Sequence, residues 1–217
     1  MIHITNVRWE NDPYIEDEQL RNKLFPLNID IHNDVTVIVG PNGCGKSRFL
    51  TSIEKVSEYN RKQLIQEHKK SSYSYSKKPE EEVSITRNPN DPLWRILKYN
   101  FSDVLNDGDF SGDPLQLAKH FKSNGETRDI LIDRILNSTE ELKEHNIKRV
   151  MLIDEIDSGL DYINQKKFAN ILKECVNTYQ FIVVSHNIPF IAQFDEIFDM
   201  ETLKYVNTKD YLNRILN

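Results

Sequence analysis

Cysteine, glycine and long apolar runs are all scarce in this 217-residue chain. Two cysteines, Cys44 and Cys175, cannot build the bridged framework of a small secreted domain, so a reducing, cytoplasmic setting is expected. No stretch approaches the ~20 apolar residues that cross a bilayer. The opening Met1-Ile2-His3-Ile4-Thr5 lacks the basic region and apolar core of a signal peptide. Positive charge is short as well. A net charge of −6 excludes a uniformly basic nucleic-acid binder, although not a local basic patch. With 38% hydrophobic and 29% charged residues the chain reads as soluble. It has the length for one domain, 1–217, with a variable, partly basic insertion at about 60–120. No internal repeat or long heptad run is present.

Of the seven glycines, three fall within residues 40–45. There Gly40-Pro41-Asn42-Gly43-Cys44-Gly45-Lys46-Ser47 meets every fixed position of G-x-x-x-x-G-K-[ST]. The short β-branched run Val35–Val39 precedes it, and helical spacing of Phe49, Leu50, Ile53 and Val56 follows. Gly43 and Gly45 let the backbone turn its N–H groups inward as a nest for phosphate oxygens. Lys46 can reach β- and γ-phosphates, the Ser47 hydroxyl can hold Mg²⁺, and the helix adds its positive end. Arg48 belongs to the same candidate nucleotide segment. A chance glycine loop would lack the flanking strand and helix. These residues specify a P-loop nucleotide site. Cys44 is read as a small residue at a variable position rather than as a redox centre.

The chain alternates strands and helices around this loop. Strands are expected at Ile2–Trp9, Leu24–Ile31, Val83–Thr86, Val150–Ile153, Phe181–Val184 and Ile197–Met200. Helices are expected from the P-loop toward Gln66, through Ile130–Leu136, through Phe168–Leu172 and at Lys209–Leu216. Leu93, Trp94, Ile96 and Leu97 suggest a short amphipathic helix. Such alternation implies a mainly parallel sheet with its ligand at the strands' carboxyl ends, where Gly40, Asp154 and His186 all fall. Asp154 and Glu155 follow an apolar strand, and alternation aims them differently. Asp154 suits Mg²⁺, and Glu155 suits orienting and deprotonating an attacking water. A plain acidic turn is the bland alternative, but two uncompensated acids beside a complete P-loop would repel without a metal.

One stretch departs from the overall charge. Residues Lys55–Lys78 hold seven basic and two acidic residues, a local +5 that leaves −11 elsewhere. Tyr73 and Tyr75 lie within it. A solvated helix end with a polar loop is the plain reading. A contact surface for DNA or RNA phosphates, with tyrosines available to stack, is the functional one.

The motif order is Gly40–Ser47, Ser123-Asn124-Gly125-Glu126, Leu152-Ile153-Asp154-Glu155-Ile156-Asp157-Ser158-Gly159-Leu160-Asp161, then Val183-Val184-Ser185-His186-Asn187. It resembles the ATPase head of the ABC class, and the stand-alone SMC-like and OLD-like ATPases more than transporter subunits. The resemblance implies an α/β fold with a mainly parallel P-loop sheet, flanking helices and an antiparallel N-terminal β portion. ATP and Mg²⁺ are the implied cofactors, and ATP hydrolysis the implied reaction. Ser123 and Gly125 would touch the γ-phosphate held by a second subunit, Asp161 would lie at the dimer interface, and His186 would sense the γ-phosphate. The bland alternatives are a helix-capping turn at Ser123–Glu126 and a structural histidine at 186. Two departures stand out: Leu-Ser-Gly-Gly-Gln is absent, and none of Gln63, Gln66 and Gln116 follows an evident strand as the family's Q-loop glutamine would.

The expected function is therefore an ATP-driven dimerisation switch. It would control an effector protein or a nucleic-acid complex, for example in antiviral defence or DNA maintenance. The ATP-binding subunit of a membrane transporter is the alternative. A nucleoside or small-molecule kinase and a non-hydrolysing ATP module fit the motif set less well.

Overall fold

A computed structural model describes residues 4–69, 78–87, 96–100, 149–155 and 160–216. Two sheets organise them. Strands β1 (Ile4–Asn11), β2 (Leu27–Asp30) and β4 (Glu82–Arg87) form an antiparallel sheet in the order β2-β1-β4. The main sheet runs β5-β6-β7-β3-β8-β9, from β5 (Ile96–Asn100) through β6 (Arg149–Asp154), β7 (Tyr179–Val184), β3 (Val35–Val39) and β8 (Glu196–Asp199) to β9 (Lys204–Asn207). The first five are parallel, and only β9 pairs antiparallel.

Both faces of the main sheet are covered, which is why its central strands are continuous apolar runs rather than alternating ones. One set of side chains, including Val37, Met151, Ile153, Phe181 and Val183, packs on helices α3 (Tyr162–Glu174) and α4 (Ile188–Ile191) through Phe168, Leu172 and Phe190. The other set, Ile38, Leu152, Ile182 and Val184, meets α2 (Lys46–Lys69) through Phe49, Leu50 and Ile53. Trp9 and Ile29 of the antiparallel sheet, with Leu24 from the connection between β1 and β2, close that second cluster. Burying each such side chain is worth about 1.5–3 kcal/mol. The sheets are also stitched by one side chain: the buried Gln180 amide donates to the Ile4 carbonyl at 2.9 Å and accepts from the Ile4 N–H at 2.7 Å.

Two expectations need correction. Ile96 and Leu97 lie in strand β5, not in an amphipathic helix; the register Ile96↔Val150 to Asn100↔Asp154 makes it the outer neighbour of β6. Tertiary pairing overrides a pattern too short to separate period 2 from period 3.6. Leu93 and Trp94 lie outside the described residues. The segment expected as a strand from Leu24 begins instead as the end of α1 (Glu18–Leu24), capped by the Asp17 carboxylate, and β2 starts at Leu27. Within 60–120, β4 matches the strand expected at Val83–Thr86, and β5 also pairs into a sheet. The expected helix Ile130–Leu136 falls outside the described residues. At the other end, α5 (Thr208–Leu216) matches the expected C-terminal helix.

Candidate functional site

The parallel pairing sets one row of residues across five strands: Asn100, Asp154, Val184, Ile38 and Phe198 are successive register partners. Every loop leaving this row starts at the same edge. The P-loop leaves β3 there, Glu155 leaves β6, and Ser185-His186 leaves β7.

In the P-loop, Gly43 and Gly45 have φ of 78° and 95°, a region that side chains with Cβ rarely adopt. A Cβ on Gly45 would also meet Leu24 Cδ1 at 3.0 Å, so the loop is seated tightly on the end of α1. Lys46 is buried, and its Nζ donates to the carbonyls of Gly40 at 3.0 Å and Pro41 at 2.8 Å. Those bonds hold the ammonium inside the loop's own curve. Burial pushes the Cys44 thiol up against the pull of Lys46, keeping it protonated and disfavouring thiolate chemistry. Beneath the loop, Met200 N–H donates to the Val39 carbonyl at 2.9 Å. The neighbouring Asp199 carboxyl is raised by burial, but donors from Arg214, Glu201 and Thr202 outweigh this and hold it below its usual range.

The two adjacent acids occupy different environments, as alternation requires. Asp154 is buried and accepts from Ser47 Oγ at 3.0 Å. Glu155 is half exposed, has a φ of 53°, and faces His186 with Oε1 to Nε2 at 3.1 Å. A left-handed backbone outside glycine costs on the order of 1–3 kcal/mol and concentrates at functional sites. Burial and the nearby Lys46 lower the His186 pKa, while Glu155 pulls the other way. The imidazole is therefore neutral near pH 7 and donates to the carboxylate.

A cavity of about 620 Å³ lies over the P-loop, lined among others by Tyr14, Asn42, Gly43, Lys46, Ser47 and Glu155. This volume lies within the range of small-molecule sites. The donor set fits Mg-ATP: an inward-turned glycine loop with a lysine for phosphates, and a hydroxyl–carboxylate pair for a hard cation. Arg48 also lines the cavity, but its guanidinium is engaged with Asp12 and Glu81. Asp161 caps α3, accepting from Asn164 N–H at 2.8 Å. Ser123 and Gly125 lie outside the described residues, as do Gln116, Tyr73 and Tyr75. Two residues carried no sequence signal. Tyr14 enters the cavity wall through tertiary placement, and Asn100 ends the strand paired with Asp154. An amide-bearing residue after a strand in that interval would have been found had β5 been legible.

No family model matches the sequence. Two curated relatives are each 24% identical and carry the name phosphate import ATP-binding protein PstB. That of Staphylococcus saprophyticus aligns over 94% of this chain and 76% of its own length. That of Bacillus cereus aligns over 90% of this chain and 80% of its own. Among solved structures, a nucleotide-free ATP-binding cassette from an ABC transporter matches 99% of this chain and 95% of its own, at a TM-score of 0.50 and 16% identity. The fold is that of an ABC ATPase. A bacterial Atm1-family ABC exporter with ATP bound also superposes over 99% of the domain, at a TM-score of 0.52 and 16% identity; the domain spans 41% of that exporter's chain. Among the described residues no helix is long and apolar enough to cross a membrane.

Proposed function

We propose that residues 1–217 act as one ATPase head that hydrolyses Mg-ATP between two copies of the chain. The observation that carries this reading is one cavity lined by the P-loop, Ser47 and Glu155, with Asp154 bonded to Ser47 and His186 facing Glu155. In this reading the P-loop backbone from Gly40 to Ser47 binds the phosphates, and Lys46 offsets their charge. Ser47 and Asp154 would hold Mg²⁺, which when bound supplies charge neutralisation at the phosphoryl oxygens. Glu155 takes the proton of the attacking water. Neutral His186 orients that carboxylate by hydrogen bond. Ser123, Gly125 and Asp161 of a second copy would complete the site, giving a two-fold dimer with two identical sites.

The assembly this head drives is best read as a membrane transporter, with the chain as its cytoplasmic ATP-binding subunit. Both curated relatives are named ATP-binding proteins of an import system, which supports that class without naming a cargo. A second reading has its own observation. Ser123-Asn124-Gly125-Glu126 is not Leu-Ser-Gly-Gly-Gln, which favours an SMC-like or OLD-like head controlling an effector, as in antiviral defence. The nucleic-acid role for Lys55–Lys78 has less support: Lys55 is paired with Glu81 at 2.7 Å and Lys62 with Glu58 at 3.6 Å.

The test is the solution mass of Glu155→Gln with and without Mg-ATP, beside wild-type ATPase rates. Doubling of mass only with Mg-ATP, with turnover nearly abolished, is expected. A Glu155→Gln monomer that still hydrolyses ATP would overturn both the dimer and the base assignment. Co-fractionation of the wild type with membranes then selects the transporter reading, and co-purification with a soluble protein selects the effector reading.

A further inference from the structure

Gly40, the first residue of the P-loop, rests on a turn that lies outside the motif. Val39 and Asp199 are register partners at the ends of β3 and β8, and the turn between β8 and β9 packs against the loop. A Cβ built on Gly40 would meet Met200 Cβ at 3.2 Å and the Glu201 nitrogen at 3.6 Å. Gly40 has a φ of 145°, and its carbonyl accepts from Lys46 Nζ at 3.0 Å. The turn therefore sets where one of the two carbonyls that hold the Lys46 ammonium stands.

That turn is built around the fully buried carboxylate of Asp199. Its Oδ1 accepts from the Glu201 N–H at 2.9 Å. Its Oδ2 accepts from Thr202 Oγ1 at 2.9 Å and from a terminal nitrogen of Arg214 at 2.7 Å. Leu203, at a φ of 58°, closes the turn by donating to the Asp199 carbonyl at 2.7 Å. Burial works against an ionised Asp199, and Arg214 is the strongest of the groups that keep it charged. Of these donors only Arg214 carries a full positive charge. It comes from the last turn of α5, its guanidinium 5.2 Å from the ring centroid of Tyr211, which anchors that helix in the main core. Without Arg214 a buried carboxylate would keep neutral donors alone, which favours a turn opened to water.

We propose that Arg214 is a positioning residue for the phosphate cradle: through Asp199 it holds the β8–β9 turn against Gly40, so that helix α5 sets how well the P-loop is shaped for a triphosphate. This rests on the nucleotide-site reading above. Arg214 does not line the cavity, so its effect passes through the turn. A cradle that must first be ordered binds ground state and transition state less well by the same factor, which raises KM and spares kcat.

The test measures Mg-ATP and Mg-tripolyphosphate binding by calorimetry, beside steady-state ATPase kinetics, at a temperature where circular dichroism shows each variant folded. Arg214→Gln is expected to weaken both ligands about five-fold, the scale of indirect coupling between sites, and to raise KM by the same factor with kcat kept. Arg214→Lys recovers most of the affinity, because a single guanidinium nitrogen bonds Asp199. In an Asp199→Asn background Arg214→Gln has no further effect, since the carboxylate it acts through is gone. Should Arg214→Gln not fold, Thr202→Val removes a neutral donor to the same oxygen and gives the same pattern at about two-fold, a neutral donor being roughly half as strong as a charged one. Unchanged affinity in either folded variant, a loss confined to kcat, or full additivity with Asp199→Asn overturns the proposal. A wild type that binds neither ligand overturns the nucleotide-site reading itself, and the proposal with it.

Discussion

Glu155 lines the cavity and faces His186, so the titration of His186 is a direct report on the site. Burial and Lys46 lower the His186 pKa below its ordinary 6.5, and Glu155 opposes this. A proton NMR titration should therefore give a His186 midpoint under 6.5, shifted further down in Glu155→Gln. The sign for stability follows. Below pH 6.5 the unfolded chain takes a proton that the folded one resists, so this contribution is lost as pH falls toward the folded pKa and is level above 6.5. A midpoint above 6.5 would mean the Glu155 contact dominates. At this scale the P-loop residues, Asp154, Glu155 and His186 were all legible, because each is tied to a strand end by sequence spacing. Asp12, Glu81 and Tyr14 were not. Their roles arise from side chains 33 and 36 positions apart in the chain, and no local pattern records that.

Elements were legible in proportion to how completely they are buried. Strands β3, β6 and β7 are buried almost throughout and announce themselves by their apolar runs. Among the described residues β5 has a single neighbour, and β9 is four residues long with an exposed or half-exposed pattern. Helix α1 has one buried residue, Leu24, and so shows no apolar stripe. For α3 the decisive group is its cap. Asp161→Ala removes the bond to Asn164 N–H and should cost about 1 kcal/mol, a fall of about 2–4 °C in Tm for a chain of this length. Asp161→Asn should restore the Tm. If Asp161 also serves between subunits, that same variant will keep its Tm but lose the ATP-dependent doubling of mass.

For the whole molecule, an α/β class with a mainly parallel sheet followed from the order of motifs. The cross-sheet row that fixes the site could not, since register is a property of pairing rather than of any single strand. That row has a kinetic consequence. Asp154 and Glu155 stand at the end of β6, and Ser47 opens α2 just after β3, all anchored to one sheet buried on both faces, so the sheet fixes their spacing. If such a rigid half-site needs a counterpart, turnover becomes a matter of encounter frequency. Specific activity, measured per mole of chain at saturating Mg-ATP, should then rise with protein concentration and level off once most chains are paired. A rate per chain that stays constant across a hundred-fold dilution would mean each molecule already carries everything hydrolysis needs.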